Sequence, residues 1–224
     1  MEYSPAGSTP RYVVPFLAFL AFLALHSLWP LPPRVDFLLR DVTIGAVLMF
    51  YSRPVIVLRT RFLVASAVLG LIVFLIWIGP DVLFPAYRRS VVFQNSLTGL
   101  SRTSLPQASL SDPVVLVLRV VQAVVIVPII EELFWRAWLL RWLISPRFAA
   151  MRMGTYNAAA FWIVALLFAS EHGPWWDVGL IAGIAYNWWI VRTKSLADCI
   201  LAHAVTNALL CAWVITRHQW QYWL

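Results

Sequence analysis

Three short stretches of the chain put ionisable or hydrogen-bonding side chains inside otherwise apolar runs. They are Glu131-Glu132-Leu133-Phe134-Trp135-Arg136, Phe168-Ala169-Ser170-Glu171-His172 and His203-Ala204-Val205-Thr206-Asn207. Such groups are costly inside a membrane, so each needs a reason to be there. Glu132 and Arg136 stand at i and i+4 and can pair along one helix face, which lowers the cost of both charges. Glu131 is turned about 100° from Glu132 and must find something else. His203 and Asn207 also share a face and could hold one ligand atom between them, and Phe168 and His172 share another. One carboxylate, two imidazoles and one amide can together deprotonate a water and stabilise an oxyanion. Taken singly, each group also has a structural reading, as a paired charge or an interhelical hydrogen bonder.

The elements that must position these groups follow from composition. The chain has 224 residues, 62% hydrophobic and 12% charged, against roughly 45–50% and about 25% in an ordinary soluble domain. Disorder and a small disulfide-stapled scaffold are excluded. The expectation is an all-α polytopic transmembrane bundle with about eight helical segments. The first runs from Val13 to Trp29, before Pro30, Pro32 and Pro33; the polar segment ahead of it holds Pro5 and Pro10. Phe37–Leu58 is a short or broken span interrupted by Pro54, and Phe62–Ile78 a third, closed by Gly79-Pro80. Residues 81–113 read as a flexible loop or an interfacial helix. A long helix covers 114–143, and further spans cover 156–170, 178–191 and 195–216, the last with Ser195 as N-cap. The organisation expected is an N-terminal part at 1–113, a core at 114–216 and a short tail at 217–224. Measured from the proposed cytoplasmic helix ends, Glu131, His172 and His203 lie at roughly 18, 22 and 12 Å, compatible with one shared cavity.

Net charge is +7, from sixteen Arg and one Lys against ten acids. With no soluble domain to carry a groove-reading surface, nucleic acid is not an expected partner. The Arg clusters favour a cytoplasmic N-terminus and face anionic headgroups of the bilayer. The Trp residues near span ends, among them Trp29, Trp77, Trp175, Trp188, Trp189 and Trp223, read as an aromatic belt. Cys199 and Cys211 lie on different faces of one helix and read as small buried residues.

The three stretches resemble the CPBP family of intramembrane proteases, which includes the Rce1-type CAAX prenyl endopeptidases and bacteriocin-processing or immunity proteins. That family's Glu-Glu-x-x-x-Arg, Phe-x-x-x-His and His-x-x-x-Asn/Asp pattern is matched by Glu131, Glu132 and Arg136, by Phe168 and His172, and by His203 and Asn207. The resemblance covers residues 114–216. It implies a metal-independent glutamate protease, in which Glu131 and His172 activate the attacking water and His203 and Asn207 form the oxyanion hole. Glu132 and Arg136 would support the helix and orient Glu131, with Phe168 in a supporting place. It also implies a membrane-associated polypeptide substrate and a bacterial inner membrane. No cofactor is expected.

Three other readings compete. Glu131, His172 and His203 could supply three ligands to zinc, although no His-Glu-x-x-His is present. The cluster could instead hold together a non-catalytic immunity or assembly scaffold. A proton-coupled transporter is the third, without the repeated halves or broken helices that would favour it. Glu171 reads as a solvated cap, His26 and His218 as interfacial, and Asp198 as a favourable charge at a helix N-terminus. Oligomeric state is not legible.

Overall fold

The computed structural model describes residues 8–223; the expectations touching Pro5 and Leu224 lie outside the described residues. The described residues form seven helices: α1 (Pro10–Leu28), α2 (Pro33–Ala46), α3 (Leu63–Leu83), α4 (Pro113–Trp142), α5 (Ala158–Ser170), α6 (Trp176–Thr193) and α7 (Leu196–Arg217). The all-α expectation holds with one helix fewer than expected, because the connection from 84 to 112 carries only short 3-10 turns. α2 breaks where Pro54 requires it, passing through a π turn at Val47–Ser52 and a 3-10 turn at Arg53–Val55.

Among the described residues, four helices are long and apolar enough to cross a membrane: α1, α3, α4 and α7. α2 and α5, at 14 and 13 residues, fall short of the length a straight crossing needs. The bundle turns apolar side chains such as Leu17, Leu75, Val117 and Leu166 outward and keeps Glu132, Arg136 and Asn187 inside. That inverted surface belongs to a protein solvated by lipid, and the chain is an integral membrane protein.

Local chemistry sets the helix ends. Asp112 caps α4 by accepting the Val114 N–H at 3.0 Å, with Pro113 at the first helical position. Asn157 caps α5 and Ser195 caps α7, accepting from Ala160 and Asp198 respectively. α3 departs from expectation, continuing through Gly79-Pro80 to Leu83. Its last turn is held from outside. Asp81 Oδ2 accepts from Arg88 Nε at 2.9 Å, Tyr222 OH at 2.9 Å and Trp175 Nε1 at 3.2 Å. Arg88 also donates to Asp177 at 2.7 Å, so the long connection, α3, α6 and the C-terminal segment are tied at one end of the bundle. The aromatic-belt reading is corrected by the same packing. Trp175, Trp189 and Trp223 are buried, each occupied in the interior, while Trp29 and Trp188 remain exposed.

α3 and α7 approach closely. A Cβ on Gly70 would stand 2.4 Å from the Ala202 carbonyl oxygen and 2.8 Å from Val205 Cβ. Thr206 then reaches the Gly70 carbonyl at 2.9 Å and accepts the Tyr186 hydroxyl at 2.8 Å. We expect Gly70→Ala to push the helices apart and cost about 1–3 kcal/mol. Thermal unfolding in detergent checks this, with Gly79→Ala, which meets nothing within 4 Å, as the control.

Candidate active site

α4 positions two neighbouring carboxylates through an irregularity invisible in its hydrophobic pattern. Two π turns, Gln122–Ile126 and Leu133–Leu139, flank the α-helical turn Val127–Glu132 that carries Glu131 and Glu132. The first arises beside Pro128, which has no N–H to give. In the widened turn the Val127 N–H bonds the Gln122 carbonyl. The Ala123 carbonyl thereby loses its ordinary helical donor, and its donor in the wider turn would be Pro128. Asn207 Nδ2 takes that place at 2.7 Å. The bond fixes α7 against α4 and orients the Asn207 amide. π turns inside α-helices recur at functional sites.

Glu132 is fully buried and its Oε1 accepts twice, from Arg136 Nη1 at 3.0 Å and from His203 Nδ1 at 2.9 Å. Arg136 is fully buried too. Its Nε donates to Asn187 Oδ1 at 3.1 Å, and its guanidinium lies over the Phe168 ring at 4.4 Å. Further hydrogen bonds lower the cost of a buried pair; His203 and Asn187 supply them to Glu132 Oε1 and Arg136 Nε, while Glu132 Oε2 is left buried without a partner. The expected Glu132–Arg136 pair is therefore present, with Phe168 as its aromatic platform.

Both histidines have their tautomers set by neighbours. His172 Nδ1 lies 2.7 Å from the Phe168 carbonyl oxygen, which can only accept, so Nδ1 carries the proton and neutral His172 keeps a lone pair on Nε2. Gly179 makes room for this ring: a Cβ there would meet it at 3.1 Å. His203 Nδ1 donates to the Glu132 carboxylate in the same way, and its ring stacks on Tyr186 with centroids 5.1 Å apart. Its Nε2 stands 4.0 Å from Glu131 Oε2, an oxygen that is buried without a hydrogen-bond partner. As an imidazolium His203 would present an N–H there; as the neutral ring, a lone pair.

Glu131, Phe168, His172, His203 and Asn207 line one cavity of about 170 Å³. The depth argument from sequence placed these residues together, and they are together. Two details differ. The ion-pairing distance recorded for Glu131 is to His203, at 4.0 Å, and no hydrogen bond joins Glu131 to His172. His203 and Asn207 are each engaged elsewhere, by Glu132 and by the Ala123 carbonyl. Among the described residues no group of three or more His, Cys, Asp and Glu side chains is arranged to hold a metal ion.

Sequence reasoning missed four contributors. Trp77 packs edge-on against His172 at 5.1 Å, Tyr186 lies under His203, Asn187 holds Arg136, and Arg119 lines the cavity. Asn187 and Arg119, polar within apolar runs, were the two with a readable signal. Glu171 does cap α5 and is exposed, and its carboxylate also accepts from Trp135 Nε1 at 3.1 Å. Asp198 does more than favour its own helix N-terminus. It is fully buried, and its Oδ1 accepts the Arg61 and Phe62 N–H groups at 2.9 and 3.1 Å, securing the start of α3. His26 lies 3.3 Å from Asp36, and His218 ends α7 in the left-handed conformation. Cys199 and Cys211 are both free and buried.

Fold and site together define an integral membrane helical bundle with a polar cavity lined by α3, α4, α5, α6, α7 and the C-terminal residues Tyr222 and Trp223. Residues 113–209 match the family described as Rce1-like, type II CAAX prenyl endopeptidase Rce1-like. The segment that holds the cavity's carboxylates and imidazoles is thus similar to a membrane protease family. No curated protein and no solved structure matches the chain.

Proposed function

We propose that the chain is an intramembrane endopeptidase that cleaves a membrane-associated polypeptide, of CAAX type or related, with water activated by Glu131. The observation that carries this reading is the convergence of Glu131, His172, His203 and Asn207 on one cavity from three helices. Glu131 is the general base, with the Nε2 lone pair of His172 as a second acceptor for the water's protons. His203, as the imidazolium, and the second N–H of Asn207 donate to the oxyanion. Glu132 and Arg136 act through His203: the carboxylate orients its ring and stabilises the imidazolium, as the acidic member of a Ser-His-Asp triad does for its imidazole. No metal takes part, and the membrane is a bacterial inner membrane.

The test uses purified full-length protein in detergent, mixed with extracted membrane proteins and followed by mass spectrometry of new peptide termini. Cleavage is expected with the wild type, unchanged by a zinc chelator and absent in Glu131→Gln. Loss of cleavage on chelation, restored by zinc, would instead support three metal ligands drawn from Glu131, His172 and His203. Asn207→Ala is expected to lower kcat by about 10²–10³ with little change in KM, since one of two oxyanion donors is removed. Part of that effect is positional, because the Ala123 carbonyl also loses its donor.

A further inference from the structure

A second cavity, of about 240 Å³, opens where three parts of the chain meet: the connection from α2 to α3, the loop before α5 and the turn from α6 to α7. Its walls include Val55, Val57, Arg59, Arg61, Met153 and Lys194. α3 and α7, both long enough to span, begin beside it at Leu63 and Leu196. The cavity therefore lies at the depth of lipid headgroups, roughly 30 Å from the far ends of the two helices. Its shape depends on two residues in the left-handed region, Gly154 at φ 67° and Lys194 at φ 57°. A Cβ on Gly154 would collide with the Ile190 carbonyl, so its absence lets the loop close on the end of α6. Lys194 caps α6 there, and its Nζ donates to the Gly154 carbonyl. Asp198 Oδ1 secures the other wall by accepting the Arg61 and Phe62 N–H groups.

Charge and exposure indicate what this cavity takes. Among the described residues no acidic side chain lines it. The Arg59 and Arg61 side chains are exposed, and neither makes a hydrogen bond or ion pair with another described residue. The buried carboxylate of Asp198 nearby still leaves the three cations an excess of two positive charges. Such a wall attracts an anion and repels a headgroup amine. Next to the cations the surface is apolar, with Val57, Leu58, Phe62 and Leu63 all exposed. A soluble anion gains nothing from those side chains, whereas a lipid can lay its acyl chains on them. We propose that this cavity binds the phosphate of an anionic phospholipid, held by Arg59, Arg61 and Lys194, with the acyl chains along Leu58, Phe62 and Leu63. The planar forks of the two arginines take the phosphate oxygens, and Lys194 adds a point charge. The bound lipid bridges the α2–α3 connection and the α6–α7 turn. This site stands apart from the chemistry at Glu131.

Binding is measured on full-length protein in an uncharged detergent at about 0.15 M salt, by native mass spectrometry of the lipid-bound protein. The probes are dioleoylphosphatidylglycerol and dioleoylphosphatidylcholine, which share their acyl chains and differ in net charge. Phosphatidylglycerol is expected to bind about tenfold or more tighter, since each basic side chain near an anionic surface contributes roughly fivefold. Arg59→Gln/Arg61→Gln removes most of that preference by weakening phosphatidylglycerol alone. Its thermal unfolding without lipid should match the wild type, because neither side chain has a partner among the described residues. If the double variant does not fold, Arg59→Gln alone carries the same test, at about fivefold. Arg89→Gln/Arg102→Gln removes the same charge from exposed positions at the opposite end of α3 and should keep the preference. Equal binding of the two lipids, or equal loss in both double variants, overturns the proposal. Inorganic phosphate that protects the wild type against heat as well as phosphatidylglycerol does, at the same concentration, would mark a site for a soluble anion and overturn it too.

Discussion

Glu131→Gln is expected to fold, to bind peptide and to lose cleavage. Glutamine keeps the length and shape of the side chain and removes the base. A positioned general base contributes about 10²–10⁴ in rate, so the loss should reach at least the lower end of that range under single-turnover conditions. Stability should hold or rise. Glu131 Oε2 is buried without a hydrogen-bond partner, and an amide there avoids burying a charge. The pairing of retained thermal stability with lost cleavage separates a chemical role from a structural one. Cleavage by Glu131→Gln within about tenfold of wild type would fall below what a general base contributes and sink the mechanism.

Arg136→Leu carries the second large effect, on stability as well as activity. Glu132 is fully buried and loses its only arginine partner, and removing one member of a buried pair costs about 3–5 kcal/mol. Asn187 loses the donor to its Oδ1 as well. The double variant Glu132→Leu/Arg136→Leu should recover much of that loss, because replacing both charges by apolar groups is often neutral. It should not recover cleavage, since His203 Nδ1 would have no carboxylate to orient the ring and stabilise the imidazolium. Thermal unfolding and cleavage measured on the wild type, the single and the double variant check both halves. A single variant as stable as the double would show that the pair contributes nothing to holding α4 in place.

Much of this arrangement is legible in the sequence because the bilayer makes polar residues rare and therefore conspicuous. Glu131, Glu132, Arg136, His172, His203 and Asn207 stand out against apolar runs, and helix rise alone brings their depths together. Ser195 was readable as a cap for the same local reason that makes it one. The rest depended on contacts with no sequence period. The π turns around Pro128 leave the apolar pattern of α4 intact, so the diversion of Asn207 to the Ala123 carbonyl could not be read. The extension of α3 past Pro80 depends on Arg88, Trp175 and Tyr222 meeting Asp81 from distant parts of the chain. Tryptophans near helix ends look alike whether they face headgroups, as Trp29 can, or fill the interior, as Trp175 and Trp223 do. Trp77 and Tyr186 are ordinary apolar-face residues until α5 and α7 are packed against them.

The central claim, that Glu131 cleaves membrane-bound polypeptides, is tested most directly in native membranes. Peptide termini are catalogued by mass spectrometry in membranes carrying equal amounts of folded wild-type or Glu131→Ala protein. The account expects termini that appear only with the wild type. Identical catalogues from the two membranes would contradict it and favour a scaffold or immunity protein built on the same helices.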